Sequence, residues 1–328
     1  MAEKSTDRIT NFKQVLFTIF KIGISGFLIY FLLARIGFNK LLEQLTTANI
    51  YWIILSICIF SLSNFLGSVQ WYLLLRSKRI KLPLWHVIKF YHVGLFFNNF
   101  LIGYVGGDAF RIYDIRKSSG DTNGALTTVF FDRFIGFFTL STLAVMVTLI
   151  WMKKLTSHVT VYTILIVFVI WVIGFYFLFQ EKVAKKFSWL FRFFLPKMVH
   201  YKLKEIYYEL NKFRHNKILL LHIFIISFGV QTLRILTHFF AAKAVGVNLD
   251  LFYFFIFVPI IALAASLPIS LGGIGVREQS GVTLFTQVGV LSAKVVAFEF
   301  IAYLVGIIAT IPGGFIFAFR KDHKSKLD

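Results

Sequence analysis

The amino-acid sequence predicts an all-α polytopic membrane protein with about six full spans plus two re-entrant hairpins in an inverted repeat. Three observations lead there. Uncharged runs at 44–75, 134–152, 155–180 and 300–319 each reach or approach the ~20 residues that cross a bilayer core. Within apolar surroundings, 265–279 reads A-S-L-P-I-S-L-G-G-I-G-V-R-E-Q, with a proline, three glycines and the adjacent pair Arg277-Glu278. Backbone that cannot stay helical is tolerated at membrane depth only where protein or a wet cavity covers it, and ionisable groups there mark a pathway or a ligand. Finally, the stretch has an echo. Residues 99–111, N-F-L-I-G-Y-V-G-G-D-A-F-R, align without a gap on 265–277 and match at the Leu, both central glycines and the final Arg.

At 58% hydrophobic and 18% aromatic, the chain is too apolar for an ordinary soluble domain. The net charge of +20 sits mostly on segments flanking the apolar runs, the positive-inside pattern that also attracts anionic lipid head groups; nucleic acid is not an expected partner. The single cysteine, Cys58, permits no intrachain disulfide and no cysteine metal site. No catalytic fingerprint for a phosphate-binding loop, a serine nucleophile or a dinucleotide is present, and no soluble segment is large enough for a catalytic domain. The chain is therefore not expected to be an enzyme by itself, and no cofactor or metal is expected.

In chain order, a basic tail at 1–11 precedes a first span at 12–34, read as uncleaved because no small-residue cleavage site follows it. A second span runs over 49–75, and the basic loop 76–81 follows. The apolar segment 86–105 ends in Gly106-Gly107-Asp108, and polar sequence with Arg111, Arg116 and Lys117 comes next. Further spans cover 125–152 and 158–179. The segment 180–217 carries ten Lys/Arg against three Glu. Inside it, Leu203, Ile206, Tyr207, Leu210 and Phe213 recur at helical spacing, which predicts an interfacial amphipathic helix. Spans resume at 218–245 and 292–319, with two short apolar arms, 252–267 and 276–290, between them. One membrane domain, 1–328, is implied, with 1–179 as its first half, 180–217 as a basic cytoplasmic loop and 218–328 as its second half.

Loop charge sets the orientation. If every apolar segment crossed fully, the most basic loop would lie outside. A re-entrant 86–105, entered from the cytoplasm, and a hairpin 252–290, entered from the exterior, place every basic segment and both termini inside. The register extends the repeat, each half supplying a Gly-Gly turn, an Arg just after it and a carboxylate on the next span: Arg111 is followed by Asp132 twenty-one residues later, and Arg277 by Glu299 after twenty-two.

Arg277 and Glu278 are neighbours on a helix and do not face one another, so each needs a partner across the protein or a ligand. Gly272 and Gly273 would let backbone approach a ligand, and the helix start behind them offers N–H groups and a positive dipole end. With Arg277 added, the site suits a phosphate. The alternative is a buried Arg–carboxylate pair, to Glu299 or Asp132, that pins the hairpin. Asp108 and Arg111, preceded by Asn98 and Asn99, form the first-half counterpart, where Asp108 could instead cap a helix starting near Ala109. Asp132 and Arg133 belong either to the site or to an interfacial anchor. Arg234 follows sixteen uncharged residues and is deep enough for a functional or pairing role. His86, His92, His222 and His238 fall into no metal-ligand spacing and read as interfacial or packed residues.

The motifs F-F-N-N-F-L-I-G-Y-V-G-G-D-A-F-R (96–111), F-F-D-R-F-I-G (130–136) and L-P-I-S-L-G-G-I-G-V-R-E (267–278) resemble the lysylphosphatidylglycerol synthase transmembrane-region family of flippase-like membrane proteins. Ile102 stands where the family commonly has a proline. The resemblance implies a lipid-translocating module in the cytoplasmic membrane. The larger relatives add a cytosolic aminoacyltransferase domain, but this sequence ends nine residues past its last predicted span, so lysyl-lipid synthesis by this chain is not expected. The expected activity is flipping of an amphiphilic, phosphate-bearing lipid between leaflets. Arg277, Arg111 and Arg133 would neutralise its phosphate, while Glu278, Asp108 and Glu299 would pair with those arginines in the empty site. Other relatives accompany glycosyltransferases or isoprenoid pathways, so the alternative is a membrane enzyme or accessory subunit acting on polyprenyl-phosphate-linked substrates. Expected partners are the lipid substrate and anionic lipids, with a homo-oligomer or a lipid-modifying enzyme possible.

Overall fold

A computed structural model describes residues 46–99, 105–154, 158–180, 197–267, 270 and 272–319; the predicted first span at 12–34 and both tails lie outside the described residues. Among these, ten α-helices follow one another: α1 (Ile50–Ser77), α2 (Leu84–Asn98), α3 (Val105–Ser119), α4 (Thr122–Trp151), α5 (His158–Phe179), α6 (Lys197–Asn211), α7 (Lys217–Ala244), α8 (Leu251–Ser266), α9 (Val276–Phe285) and α10 (Ser292–Phe319). Five of them, α1, α4, α5, α7 and α10, are long and apolar enough to cross a membrane, at the places the sequence indicates.

The sequence starts these helices locally. Asn49 Oδ1 accepts from the Tyr51 N–H, Asp121 Oδ1 from Gly124 N–H and Asn216 Oδ1 from Leu219 N–H, each satisfying an otherwise orphaned first-turn amide. Helix α1 turns Ser56, Ser63, Gly67 and Ser68 inward, and α7 packs closely along it. Small residues are what allow helix backbones to approach within a bilayer, where burial against lipid supplies no hydrophobic drive. Helix α5 lies at the periphery with Tyr162, Ile166, Ile170 and Ile173 exposed, a face suited to lipid.

Polar ties define the two ends of the bundle. At one end Lys78 Nζ donates to Glu209 Oε2 (2.9 Å), Asn123 Nδ2 to Glu205 Oε1 (2.7 Å) and Asn211 Nδ2 to Leu178 O (3.0 Å), which gathers the end of α1, the start of α4, the end of α5 and the amphipathic α6. At the other, Asn49 N donates to Ala244 O (2.8 Å) and Lys294 Nζ to Gly246 O (3.3 Å), while Trp151 stacks on Phe252. The starts of α1, α8 and α10 therefore meet the ends of α4 and α7 there.

Two helical pairs are inserted between the spans from these opposite ends. Helices α2 and α3, 15 residues each, and α8 and α9, 16 and 10 residues, are about 15–24 Å long at 1.5 Å per residue, against about 30 Å of bilayer core. Each pair packs arm on arm. Their tips touch: a Cβ on Gly272 would lie 2.9 Å from the Asn99 carbonyl oxygen, and the Tyr303 hydroxyl, halfway along α10, donates to that same oxygen (3.4 Å).

The first hairpin differs from the sequence reading in its return arm. Gly106 and Gly107 form no turn; they lie in the first turn of α3, whose helix continues to Ser119. The glycines serve close approach instead. A Cβ on Gly107 would sit 1.8 Å from the Gly94 carbonyl oxygen of α2, so only glycine lets the two arms touch there. Gly107 N–H donates to Asn98 Oδ1 at 2.9 Å, and Asp108 is correspondingly inside α3 rather than its cap.

Helix α6 buries Leu210 and packs Ile206 against α4, α5 and α7, and Phe213 just beyond it is buried with them. Glu209 holds this unit to α1. Burial pushes its carboxyl up, but hydrogen bonds from Lys212 and Lys78 outweigh that and hold it below the usual range. A carboxylate depressed in the folded state stabilises fully above its unfolded value of about 4.3 and loses that contribution as the pH falls through the folded value. Protection of the α6 amides, taken relative to their intrinsic exchange rates, should therefore fall below about pH 4, and in Glu209→Gln protein that acid-dependent component should be missing.

Candidate functional site

A charged network fastens α3 to α4. Arg111 Nη2 donates to Asp132 Oδ2 at 2.8 Å, and Nη1 reaches Asp108 Oδ1 at 3.3 Å. Arg133 grips Asp108 through both oxygens, Nε to Oδ2 at 2.8 Å and Nη2 to Oδ1 at 3.0 Å. Gln70 Nε2 of α1 donates to the second Asp132 oxygen at 2.8 Å. Arg111 is 1% exposed, and its guanidinium lies 4.1 Å from the centre of the Trp71 ring and 4.7 Å from that of Tyr91. Two carboxylates and two guanidiniums thus cancel in a buried setting, with aromatic faces replacing part of the lost hydration.

Beside this network, where the hairpin tips meet α1, α4, α7 and α10, is a cavity of about 170 Å³. At about 10–15 Å³ per water it has room for on the order of ten waters, or for a polar head group, and not for an acyl chain. Arg133, Arg234 and Arg277 reach it from α4, α7 and α9, and Asp132, Asn99 and Gly272 also line it. Phe60, Phe137, Val230 and Ile261 form the apolar part of its wall.

The turn before α9 positions Arg277. Gly272, Gly273 and Gly275 have φ of 57°, 77° and 81°, values only glycine adopts without strain. Arg277 therefore projects from the first helical turn, 5.5 Å above the Tyr303 ring. The backbone around it is already occupied: Glu278 Oε2 accepts from Gly275 N–H at 2.6 Å, and Arg277 N–H donates to Gly273 O at 3.0 Å. The helix start thus gives those amides to the protein, and guanidinium groups are what the cavity presents to an anion. Arg234 is conspicuous among them, because its buried Nε has no hydrogen-bond partner among the described residues.

The residues singled out in the sequence divide into two groups. Arg277, Gly272, Asn99, Asp132 and Arg133 line the cavity, and Asn99 Nδ2 also donates to Thr310 Oγ1 at 2.7 Å. Arg111, Asp108, Glu278, Glu299 and Gly273 stand behind the wall; Gly273 packs on Ala265. Glu299 does not pair with Arg277 in echo of Arg111 and Asp132. Its Oε1 lies 3.2 Å from His238 Nδ1 of α7. His238 lines the cavity, and the sequence reading had set it aside. The helical spacing of Gln231, Arg234 and His238, all on the cavity, is the signal that could have revealed it: positions three to four apart share a helix face.

Fold and site together define a polytopic helical membrane protein whose short inserted hairpins enclose a cationic cavity beside the middle of a spanning helix. The chain belongs to the family described as the lysylphosphatidylglycerol synthase TM region, whose model matches residues 18–314. It is also similar to a UPF0104 membrane protein of Pyrococcus horikoshii, 26% identical over 321 residues, an alignment covering 90% of this chain and 94% of the relative.

Proposed function

We propose that this protein moves a phosphate-bearing amphiphilic lipid between the leaflets of the cytoplasmic membrane, binding the head group in the cavity while the tail stays in lipid. The observation that carries this reading is the convergence of Arg133, Arg234 and Arg277 on a cavity of about 170 Å³ at the depth where the hairpin tips meet. Arg133 is already neutralised by Asp108, so Arg234 and Arg277 are the groups offered to an anion, and guanidinium binds phosphate in a bidentate manner. Two hairpins inserted from opposite ends supply the paired elements that transporters use to expose one site alternately to each side. The protein binds and releases its lipid without making or breaking a bond. The end carrying Arg76, Lys78 and α6 faces the cytoplasm, in keeping with the distribution of basic residues.

The test is reconstitution in liposomes and measurement of leaflet exchange of labelled phosphatidic acid and phosphatidylglycerol, for the wild type and Arg277→Gln, with thermal stability followed in parallel. Exchange is expected in the wild type and a loss of at least tenfold in the variant at retained stability, the worth of one charge-assisted hydrogen bond of about 1.5 kcal/mol or more. Wild-type protein that moves neither lipid would direct attention to polyprenyl phosphates. Unchanged exchange in the variant would remove Arg277 from the site.

A further inference from the structure

Glu299 is 0% exposed, and its second oxygen, Oε2, has no hydrogen-bond partner among the described residues. Gly281 of α9 closes over it, since a Cβ there would lie 3.1 Å from Glu299 Cγ. Among the described residues its other oxygen, Oε1, meets His238, whose side chain keeps 17% exposure and lines the cavity. One helical turn before His238 on the same face of α7 is Arg234, also on the cavity. A buried carboxylate, an imidazole at the cavity wall and a guanidinium beside the imidazole are thereby placed in series.

We propose that the His238–Glu299 pair is a proton-binding site linked to the anion site, so that a proton enters the cavity with the lipid phosphate. The inference rests on the reading of the cavity as a phosphate site. With one proton the pair is neutral overall, either as imidazolium and carboxylate or as a carboxylic acid donating to a neutral ring; a second proton makes it +1. Oε2, buried and without a partner among the described residues, is the atom open to that proton. In the empty cavity Arg234 opposes that extra positive charge. A phosphate on Arg234 and Arg277 removes the opposition and attracts the proton, which leaves again when the phosphate leaves. Coupling of this kind is reciprocal: if the anion favours the proton, the proton favours the anion by the same factor. A proton gradient then gives the movement a direction.

Other charged and titratable groups face the pair and the cavity, the buried Glu278 among them. From α9, Arg277 lines the cavity and Glu278 is engaged with Gly275 N–H. Across the cavity on α4, Asp132 is bonded to Arg111 and Gln70, and Arg133 to Asp108. Along α10, Tyr303 donates to Asn99 O and Lys294 to Gly246 O. From α2, the His92 ring is bonded to Ile88 O. Helix α1 brings Phe60, Gly67 and Gln70 to the cavity and α8 brings Val258, Ile261 and Ala262, none of them titratable.

The full chain in detergent is titrated by calorimetry with dihexanoyl phosphatidylglycerol, a phosphodiester with no proton of its own to exchange near neutral pH, in two buffers of different ionisation enthalpy and across a range of pH. The wild type is expected to take up close to one proton per lipid bound and to bind up to tenfold more tightly for each unit the pH falls, until the pair is saturated. In Glu299→Gln both the uptake and the pH dependence should vanish; His238→Gln serves the same purpose if the first variant does not fold. Binding without proton uptake in the wild type, or uptake that survives both variants, overturns the linkage. Should the wild type bind no phosphatidylglycerol at any pH, the phosphate reading fails instead. The pair is then judged separately by the imidazole NMR signal of His238, whose pH response must change in Glu299→Gln if the two share a proton; an unaltered response sinks the pair.

Discussion

Asp132→Ala is expected to lower the stability of the purified protein by about 3–5 kcal/mol, the usual cost of removing one partner from a buried ion pair. Asp132 accepts from Arg111 and from Gln70, one oxygen each. Its loss leaves Arg111, whose Nε already has no hydrogen-bond partner among the described residues, facing only Asp108 at 3.3 Å. Asp108 is itself held by both donors of Arg133 and has little left to give. The double variant Arg111→Met, Asp132→Leu should recover most of the loss, because no uncompensated charge remains and Met keeps the apolar stem against Trp71 and Tyr91. Thermal and denaturant unfolding of wild type, Arg111→Met, Asp132→Leu and the double variant closes a cycle and gives the coupling. If Asp132→Ala unfolds within about 0.5 kcal/mol of wild type, the network is not the buried clamp described above.

What the sequence reveals here is what one-dimensional pattern can carry. Uncharged length marks α1, α4, α5, α7 and α10, because crossing a bilayer imposes a minimum run of apolar residues. The Gly272-Gly273-Ile274-Gly275 turn is legible because those glycines do take positive φ. The same reasoning misjudges Gly106-Gly107, where glycine is needed for missing volume rather than backbone freedom; the partner surface, Gly94, lies in the other arm. The pairing of Arg111 with the carboxylate on the next span follows the repeat register, yet its second-half echo fails. Glu299 is taken by His238 from α7, sixty-one residues earlier, and no local spacing announces a partner supplied by tertiary packing. Arg234 could be flagged by depth alone, but whether it was neutralised could be seen only in three dimensions.

Arg234→Gln should separate binding from stability, in contrast to Asp132→Ala. Arg234 lines the cavity and shows no ion pair among the described residues, so in the empty protein its charge is a cost that folding carries. Removing that charge while keeping a polar side chain is expected to leave the melting temperature unchanged or raise it. Affinity for dihexanoyl phosphatidic acid at fixed pH and salt should fall by about ten- to a hundredfold, the worth of one or two charge-assisted hydrogen bonds at about 1.5–3 kcal/mol. Stability and function then move in opposite directions, as expected where a site is kept strained for its ligand. A structural arginine would lose stability on substitution, as is expected of Asp132→Ala, and an arginine exposed to water would change neither quantity. Scanning fluorimetry and lipid titration on the same preparation distinguish the three outcomes: lost stability would mean that the charge is neutralised within the protein, and unchanged affinity would mean that the phosphate, if it binds, is held by Arg277 and Arg133 without it.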